Sequence, residues 1–284
     1  MAAKAQLLND AQMQDYIAKG YIILKTDLPT SFHQMIYQRT EQIFEQTGNP
    51  GNNILPQIPE MQQVFDHPTV HGALSSILGP EYYAHPHRHC HLNVPGSEGQ
   101  RLHKDSWSRR QHRTRWAMAF YSPQDTPAER GPTGIVPGSH YYNQPPGEEV
   151  GAEIPLSGEA GTVTLVHYDL WHRAMPNATQ TPRYMMKFLF VRLDEPTSPT
   201  WDCRTDKWQG DADEKMWINM WDWHRGANGQ NGANGQTADD LLNALSDDNE
   251  YKALQAAYAL GAVGQNVASA IAEHLADEDE ATRR

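Results

Sequence analysis

The sequence predicts a mainly β domain with flanking helices, followed by a small α-helical extension. Four runs have the composition or the alternation of strands. They are Tyr21–Lys25, Glu81–Asn93, Arg115–Tyr121 and Tyr184–Arg192. A Gly- and Asn-rich segment, 226–236, separates this region from a C-terminal stretch in which alanine and leucine recur at the spacing of packed helices.

Three helices are expected before the first long strand. Asp10–Lys19 has helical spacing and stops at Gly20, a residue typical of helix ends. Ser31–Gln46 places its apolar residues on one face, which predicts a helix packed across the sheet. Met61–Leu78 is predicted as one further helix that ends at Gly79, after a turn-rich segment.

The middle of the chain predicts short strands joined by sharp turns. Arg115–Tyr121 mixes small and aromatic residues, as expected inside a tight jelly-roll barrel. Gly131–Gly134 demands a turn, and a short strand and the corner Pro137–His140 follow it. Gly161–Leu165 alternates into a strand that is predicted to continue to His172.

Three side chains in this region match a metal site. His103 and Asp105 lie two residues apart, so they point the same way from a strand, and His172 can close the same face. Two histidines and one carboxylate leave about three of six octahedral positions open, which is typical of non-haem Fe(II) oxygenases. Arg183 follows at the start of the next strand and offers a planar cationic fork suited to a carboxylate.

A His-x-Asp pair alone is weak support, because the chain has 14 histidines and 35 acidic residues. His167 and Asp169 form a second such pair, and His140 is a further candidate ligand. No arginine follows His140 at the matching interval, so we expect it to be structural. We expect His167 and Asp169 to act as neighbours of the ligands, since ligating histidines usually donate their other N–H to a nearby group.

The order and spacing of these motifs resemble the phytanoyl-CoA dioxygenase (PhyH) family of Fe(II)/2-oxoglutarate-dependent oxygenases. The resemblance rests on His103-Lys-Asp105, on the segments Glu129–His140 and Gly161–His172, and on Arg183. It extends from about residue 16 to residue 192 of the sequence. It implies a double-stranded β-helix, the jelly-roll or cupin-like barrel.

The resemblance also implies the chemistry. Fe(II) would be bound by His103, Asp105 and His172, the catalytic residues, and 2-oxoglutarate would place its far carboxylate on Arg183. With O2, the expected outcome is hydroxylation of a small molecule with release of succinate and CO2. Asp105 fills the position that related halogenases leave vacant, which argues against halogenation. Ala174 stands where the family often has a hydroxyl residue that contacts the cosubstrate.

A histidine tract precedes the metal motif. His85, His87, His89 and His91 alternate along the predicted strand and share one face with Asn93. This face could be solvated or hydrogen-bonded, or it could bind adventitious metal. The resemblance implies a third interpretation, in which His89 and Asn93 lie beside the iron as cosubstrate ligands.

Two features after the metal motif also have two interpretations. Trp107 would either wall the pocket or only pack. Arg109, Arg110, Arg113 and Arg115 form a basic patch in an acidic protein, which is either a solvated face or a contact for an anionic substrate such as a coenzyme A thioester.

The end of the chain predicts a separate module. We expect residues 1–225 to form the dioxygenase domain, 226–236 a flexible linker, and 237–284 partial repeats that resemble the HEAT-like repeats of phycobilin lyases. Such repeats stack in threes or more, so we expect the front part of a longer protein, with a surface for a protein partner. The alternative is a single helical hairpin. Limited proteolysis should cleave near Asn231–Asn234.

Tryptophan is dense just before the linker. Trp201, Trp208, Trp217, Trp221 and Trp223 fall within 25 residues of one another. These side chains would tether the segment to the barrel, or form an aromatic lid that excludes water from the substrate site.

Composition limits the partners. A net charge of −12 argues against a nucleic-acid or anionic-membrane partner and favours a small-molecule ligand. The two cysteines allow at most one disulfide, and no signal peptide or long apolar run is evident, so we expect a cytoplasmic protein.

Two rival classes of function remain open. One is a non-catalytic jelly-roll and HEAT adaptor, and the other is a cupin-type isomerase or hydrolase that uses zinc at the same ligands. Formation of succinate from 2-oxoglutarate that depends on O2 and Fe(II) would separate them from an oxygenase.

Overall fold

A computed structural model describes residues 4–106, 114–144, 152–209, 215–227, 237–276 and 278. The chain divides into two compact units, residues 1–194 with 200–202, and residues 195–199 with 203–284. Among the described residues, no helix combines the length and the apolar character that a membrane span requires.

Among the residues that the structure describes in the first unit, five α-helices are present. They are α1 (Asp10–Lys19), α2 (Thr30–Thr47), α3 (Ile54–Gln57), α4 (Gln62–Asp66) and α5 (Pro68–Leu78). The prediction for α1 is confirmed at both ends: Asn9 and Gln12 form a capping box, and Gly20 adopts the left-handed φ of 78° that ends the helix.

The single helix predicted for Met61–Leu78 is wrong, because the structure breaks it at Pro68. Proline disfavours the helical conformation in the residue before it, and His67 has an extended ψ of 134°. Pro68 then starts α5, where its missing N–H costs nothing.

The larger sheet contains five antiparallel strands in the order β1-β6-β3-β8-β2. Their bounds are β1 (Tyr21–Leu24), β2 (Tyr83–Asn93), β3 (Trp116–Tyr121), β6 (Val163–His167) and β8 (Arg183–Val191). The four strands predicted from the sequence are therefore present, with ends shifted by one or two residues.

The smaller sheet contains three antiparallel strands in the order β5-β4-β7. They are β4 (Thr133–Ile135), β5 (Ile154–Pro155) and β7 (His172–Ala174). The predicted continuous strand from Gly161 to His172 is wrong: β6 ends at His167, the chain turns, and β7 begins in the other sheet. This change of sheet places His172 against β4 rather than against β3.

The first hydrophobic core lies between the two sheets. Ile135 from the smaller sheet packs in one cluster with Met118, Phe120, Val166, Met185 and Leu189 of the larger sheet. The other face of the larger sheet is covered by helices, since the ring of Phe65 in α4 lies 4.3 Å from that of Phe188. Strand β8 is therefore buried along nearly its whole length, as expected for a strand covered on both faces.

Strand β2 lies at the edge of the larger sheet, next to β8. Its register with β8 shifts between His85 and Arg88, so a bulge interrupts the predicted alternation of histidines. From His89 to Asn93 the pairing is regular.

The described part of the second unit contains four α-helices, α6 (Lys215–His224), α7 (Ala238–Ala244), α8 (Glu250–Val263) and α9 (Ala268–His274). A small core of Leu241, Ala256, Ala259, Leu260 and Val267 holds α7 and α8 together. Residues 228–236 of the predicted linker, 226–236, lie outside the described residues, so the linker and the HEAT-like character of 237–284 stay predictions.

The predicted tryptophan cluster is divided between the two units. In the first unit, the indole Nε1 of Trp201 donates to Asp10 at 2.7 Å. In the second, the rings of Trp208 and Trp221 meet edge to face at 6.3 Å, and Trp223 donates to Glu195. These contacts are those of packed side chains, and the lid stays a prediction.

Candidate metal centre

The three predicted metal ligands converge. One ligand atom each from His103, Asp105 and His172 lies within 4.8 Å of the others. An isolated antiparallel bridge brings the two histidines together: His103 N donates to His172 O at 3.0 Å, and His172 N donates to His103 O at 2.9 Å. The backbone therefore fixes the separation of two ligands that lie far apart in the sequence.

The carboxylate lies between the imidazoles. Asp105 Oδ2 is 3.7 Å from His172 Nε2, and its Oδ1 is 4.0 Å from His103 Nε2. The centroids of the His103 and His172 rings are 4.6 Å apart. One ion can lie within reach of all three groups.

Hydrogen bonds orient both imidazoles. His103 Nδ1 lies 2.9 Å from the carbonyl oxygen of Arg101, and His172 Nδ1 lies 2.8 Å from that of Leu170. A carbonyl only accepts, so each Nδ1 donates the hydrogen bond and each Nε2 is the nitrogen that faces Asp105. This arrangement is typical of metal-binding histidines.

The pKa shifts favour the protonation states that His172 and Asp105 need as metal ligands. Burial lowers the pKa of His172, which favours its neutral form. Burial acts to raise the pKa of Asp105, but His172, Lys187 and His103 outweigh it and hold the pKa below its usual value. Two imidazoles, one carboxylate and an adjoining cavity fit a divalent transition metal.

Arg183 is a buried cation beside this centre. It is the first residue of β8 and only 1% exposed, and its Nε and Nη2 both donate to the carbonyl oxygen of Gly131, at 2.8 and 2.6 Å. Among the described residues, no carboxylate forms an ion pair with it. Burial lowers the pKa of Arg183 to about 10, so it remains charged at neutral pH.

Gly131 makes this contact possible. Its φ is 65°, and a Cβ at this position would collide with the side-chain nitrogen of Asn93. Asn93 donates to the same Gly131 carbonyl at 3.0 Å and to Met175 at 2.9 Å. The predicted turn at Gly131 thus supplies the backbone acceptor on which Arg183 is fixed.

A cavity connects the metal ligands to Arg183. Its lining includes Thr133 and Ala174, which face each other in the β4–β7 pair. Thr133 also lines a second cavity, together with Arg183 and four other hydroxyl residues. The side of the centre where Ala174 lacks a hydroxyl therefore has one on the opposite strand.

Sequence reasoning did not assign Lys187 to the site, and it named His91 only as part of the histidine tract. Lys187 Nζ lies 2.7 Å from Asp105 Oδ2 and is part of the same cavity wall. His91 also lines it, and burial, followed by the charge of Lys187, lowers the pKa of His91 to about 3. The signal for Lys187 was its position four residues after Arg183, which places both side chains on one face of a strand.

The predicted cosubstrate ligands His89 and Asn93 lie nearby. Among the described residues that line the cavity, His91 is present but His89 and Asn93 are not. The His89 ring stacks edge to face on His91 at 4.5 Å, and Asn93 is bonded to backbone carbonyls. Their roles toward a cosubstrate stay predictions.

The other candidate histidines lie apart from the metal ligands. His140 Nε2 lies 3.0 Å from the carbonyl of Ile17, which is the structural role expected. His167 and Asp169 are buried beside it, and the residue between them, Tyr168, donates its hydroxyl to the backbone of Asp105. Trp107 and the arginines at 109, 110 and 113 lie outside the described residues.

Comparison with known families agrees with this geometry. The sequence pattern described as Phytanoyl-CoA dioxygenase (PhyH) matches residues 10–185, which is more than half of the chain. The matched region contains all three converging ligands and Arg183.

Solved structures share the fold at low identity. One is the non-heme alpha ketoglutarate dependent carbocyclase SnoK from nogalamycin biosynthesis, with a TM-score of 0.56, 17% identity, and coverage of 68% of this chain and 88% of that one. A second is the epimerase SnoN in complex with Fe3+, alpha ketoglutarate and nogalamycin RO, with a TM-score of 0.54, 17% identity, and coverage of 64% and 82%. A third is EctD from S. alaskensis with bound Fe, with a TM-score of 0.54, 18% identity, and coverage of 67% and 80%.

Proposed function

Because the chain belongs to the phytanoyl-CoA dioxygenase (PhyH) family, we propose that it is an Fe(II)- and 2-oxoglutarate-dependent oxygenase acting on a small molecule. The observation that carries the proposal is the convergence of His103, Asp105 and His172 in a cavity that also contains Arg183. A zinc hydrolase would need the three ligands but not a buried cation that no carboxylate among the described residues neutralises. An adaptor would need neither.

The residues divide the work between metal and cosubstrate. His103, Asp105 and His172 would hold Fe(II), and Arg183 would hold the far carboxylate of 2-oxoglutarate through the donors that Gly131 does not occupy. The bound metal and cosubstrate supply the oxidising power, by which one oxygen atom of O2 enters the product and the other enters succinate, with release of CO2.

The reaction that we propose is hydroxylation of an unactivated C–H bond. The protein contributes position and a dry pocket: His172 is 7% exposed and Arg183 1%, so water has little access to the inner end of the cavity. Fixed backbone contacts to both histidines and to Arg183 keep these groups in place before any ligand binds.

The proposal is tested by measuring succinate from 2-oxoglutarate in the presence of Fe(II) and O2. The full chain should bind one Fe(II) under anaerobic conditions and form succinate once a substrate is supplied. His172→Ala should abolish succinate formation and weaken Fe(II) binding at least about 100-fold, because a ligand is lost. His85→Ala, from the same histidine-rich region but outside the cavity lining, is the matched control.

The outcomes are distinct. Undiminished Fe(II) binding by His172→Ala would contradict the metal site. Metal binding without any binding of 2-oxoglutarate would favour a cupin-type hydrolase or isomerase. Binding of neither would favour an adaptor.

A further inference from the structure

Lys187 is a largely buried lysine whose ammonium lies beside Asp105, one of the three candidate metal ligands. Its side chain projects from β8 into the cavity, the residue is 9% exposed, and its ammonium lies 2.7 Å from Asp105 Oδ2. Asp105 Oδ2 is the same atom that lies 3.7 Å from His172 Nε2. The ammonium therefore occupies the neighbourhood in which a metal ion would bind.

Among the described residues around Lys187, Asp105 is the one anion. Arg183 and Met185 precede it on the inner face of β8, and across the strand pair lie His89 and His91. His91 is neutral because burial lowers its pKa to about 3. The remaining cation of the lining, Arg173, is already neutralised by a two-point ion pair with Glu153 at 2.7 and 2.8 Å.

The charges of the loaded site do not balance. Among the described lining residues, Arg183 and Lys187 contribute two positive charges and Asp105 one negative charge. A divalent metal would add two positive charges and 2-oxoglutarate would remove two. One positive charge remains in a largely buried site, and such a charge is costly unless an anion pairs with it.

The metal would also displace the lysine. The single negative charge of Asp105 attracts the ammonium of Lys187. A dication bound to Asp105 would repel the same ammonium with twice that charge. The four-carbon stem of lysine lets the ammonium swing into the open cavity while its base stays fixed in β8.

We propose that Lys187 leaves Asp105 when the metal binds and then pairs with a carboxylate of the substrate, so that the substrate is a monoanionic carboxylate. This inference rests on the proposed function. A single remaining charge matches a carboxylate better than a dianionic phosphate monoester. Lys187 would thereby select the substrate and orient it beside the metal.

The test is calorimetric and needs no turnover. The full chain is loaded with Mn(II) and saturating 2-oxoglutarate, and then titrated with hexanoate or with its neutral isostere hexanamide. The wild-type protein should bind hexanoate at least tenfold more tightly than hexanamide. Lys187→Met should lose this preference, Lys187→Arg should retain most of it, and Lys25→Met, which removes an exposed lysine, should leave it unchanged.

Each result bears on one claim. If 2-oxoglutarate does not bind to the Mn(II)-loaded wild-type protein, the proposed function fails and this inference fails with it. If 2-oxoglutarate binds but hexanoate is not preferred, or if Lys187→Met keeps the preference, only this inference is overturned. Circular dichroism of Lys187→Met and its unchanged affinity for 2-oxoglutarate would show that the variant is folded.

Discussion

His103 and His172 are oriented for metal binding by backbone carbonyls alone. In each histidine, the Nδ1–H donates to the carbonyl oxygen of the residue two positions upstream, Arg101 for His103 and Leu170 for His172. No other side chain is required for this, so the site depends on local backbone conformation. The bridge between the two residues then sets the distance between their rings.

Arg183 provides the sharpest test of cosubstrate binding at the scale of one residue. Arg183→Gln should weaken 2-oxoglutarate binding about 10- to 150-fold, because a hydrogen bond to a charged group contributes about 1.5–3 kcal/mol. Metal affinity should stay unchanged, because Arg183 is not a ligand. Calorimetry of the Mn(II)-loaded protein measures both.

Arg173→Gln is the matched control for that experiment. Arg173 lines the same cavity, but Glu153 already occupies its guanidinium. Arg173→Gln should therefore weaken 2-oxoglutarate binding much less than Arg183→Gln does. Equal losses in the two variants would contradict the assignment of Arg183.

Asp169 gives a prediction about pH. Burial, partly offset by Lys104 and Ser106, raises its pKa from 3.8 to about 6. The folded state thus binds a proton that the unfolded state releases, so the stability due to Asp169 is complete below pH 3.8 and is lost as the pH rises to about 6. The total loss is about 3 kcal/mol, at about 1.4 kcal/mol per pKa unit.

Asp169→Asn should remove that dependence. In urea unfolding, the difference in free energy of unfolding between the variant and the wild type should be about 2–3 kcal/mol more favourable to the variant at pH 8 than at pH 4. Asp15→Asn, at an exposed position, should show no comparable gain. A gain that is the same at both pH values would refute the account of Asp169.

The convergence of the ligands was predictable from the sequence, but the depth of Lys187 in the cavity and its pairing with Asp105 were not, for a physical reason. His103, Asp105, His172 and Arg183 follow a characteristic order of residue types that can be recognised before folding. The partner of Lys187 depends on the register between strands, because only the pairing of β8 with β2 and β3 sets its depth in the cavity. The same register, after the bulge at His85, decides that His91 lines the cavity.

At the scale of elements, β8 connects the helical layer with the site. Its outward residues pack on the helices, and its inward residues Arg183, Met185 and Lys187 line the cavity. Substitutions in the packing on the outward face of β8 should therefore change the free energy of unfolding, and substitutions on its inward face should change ligand binding.

Phe65→Ala tests this separation. Phe65 is 3% exposed and packs on Phe188 and Phe190, so its removal should lower the free energy of unfolding by about 3–5 kcal/mol. Mn(II) affinity of the folded variant should stay within about twofold of wild type. Tyr83→Ala, at a 47% exposed residue of β2, should cost about 0.5 kcal/mol or less. A Phe65→Ala variant with lost metal affinity would contradict the separation.

Local signals predicted most elements; one failure overlooked a local signal, and the other has a long-range cause. Helix α1 carries its own start and stop residues. The break between α4 and α5 follows from the rule that a residue before proline avoids the helical conformation. Apolar residues at helical spacing on both sides of the break hid this signal. The turn between β6 and β7 had no such signal, because the apolar pattern continues through it while the chain changes sheet.

At the scale of the molecule, every group in the proposed chemistry belongs to the first unit. The second unit has its own small core, and nothing in the proposed reaction requires it. Cleavage near Asn231–Asn234 and the repeat character of 237–284 remain predictions from the sequence.

The most direct test of the metal centre is a crystal structure of the full chain with Mn(II) and 2-oxoglutarate, using anomalous scattering to locate the metal. We predict one anomalous peak within bonding distance of His103 Nε2, an oxygen of Asp105 and His172 Nε2, with the far carboxylate of 2-oxoglutarate on Arg183. A peak elsewhere, or a chain that binds neither ligand at this site, would contradict the account.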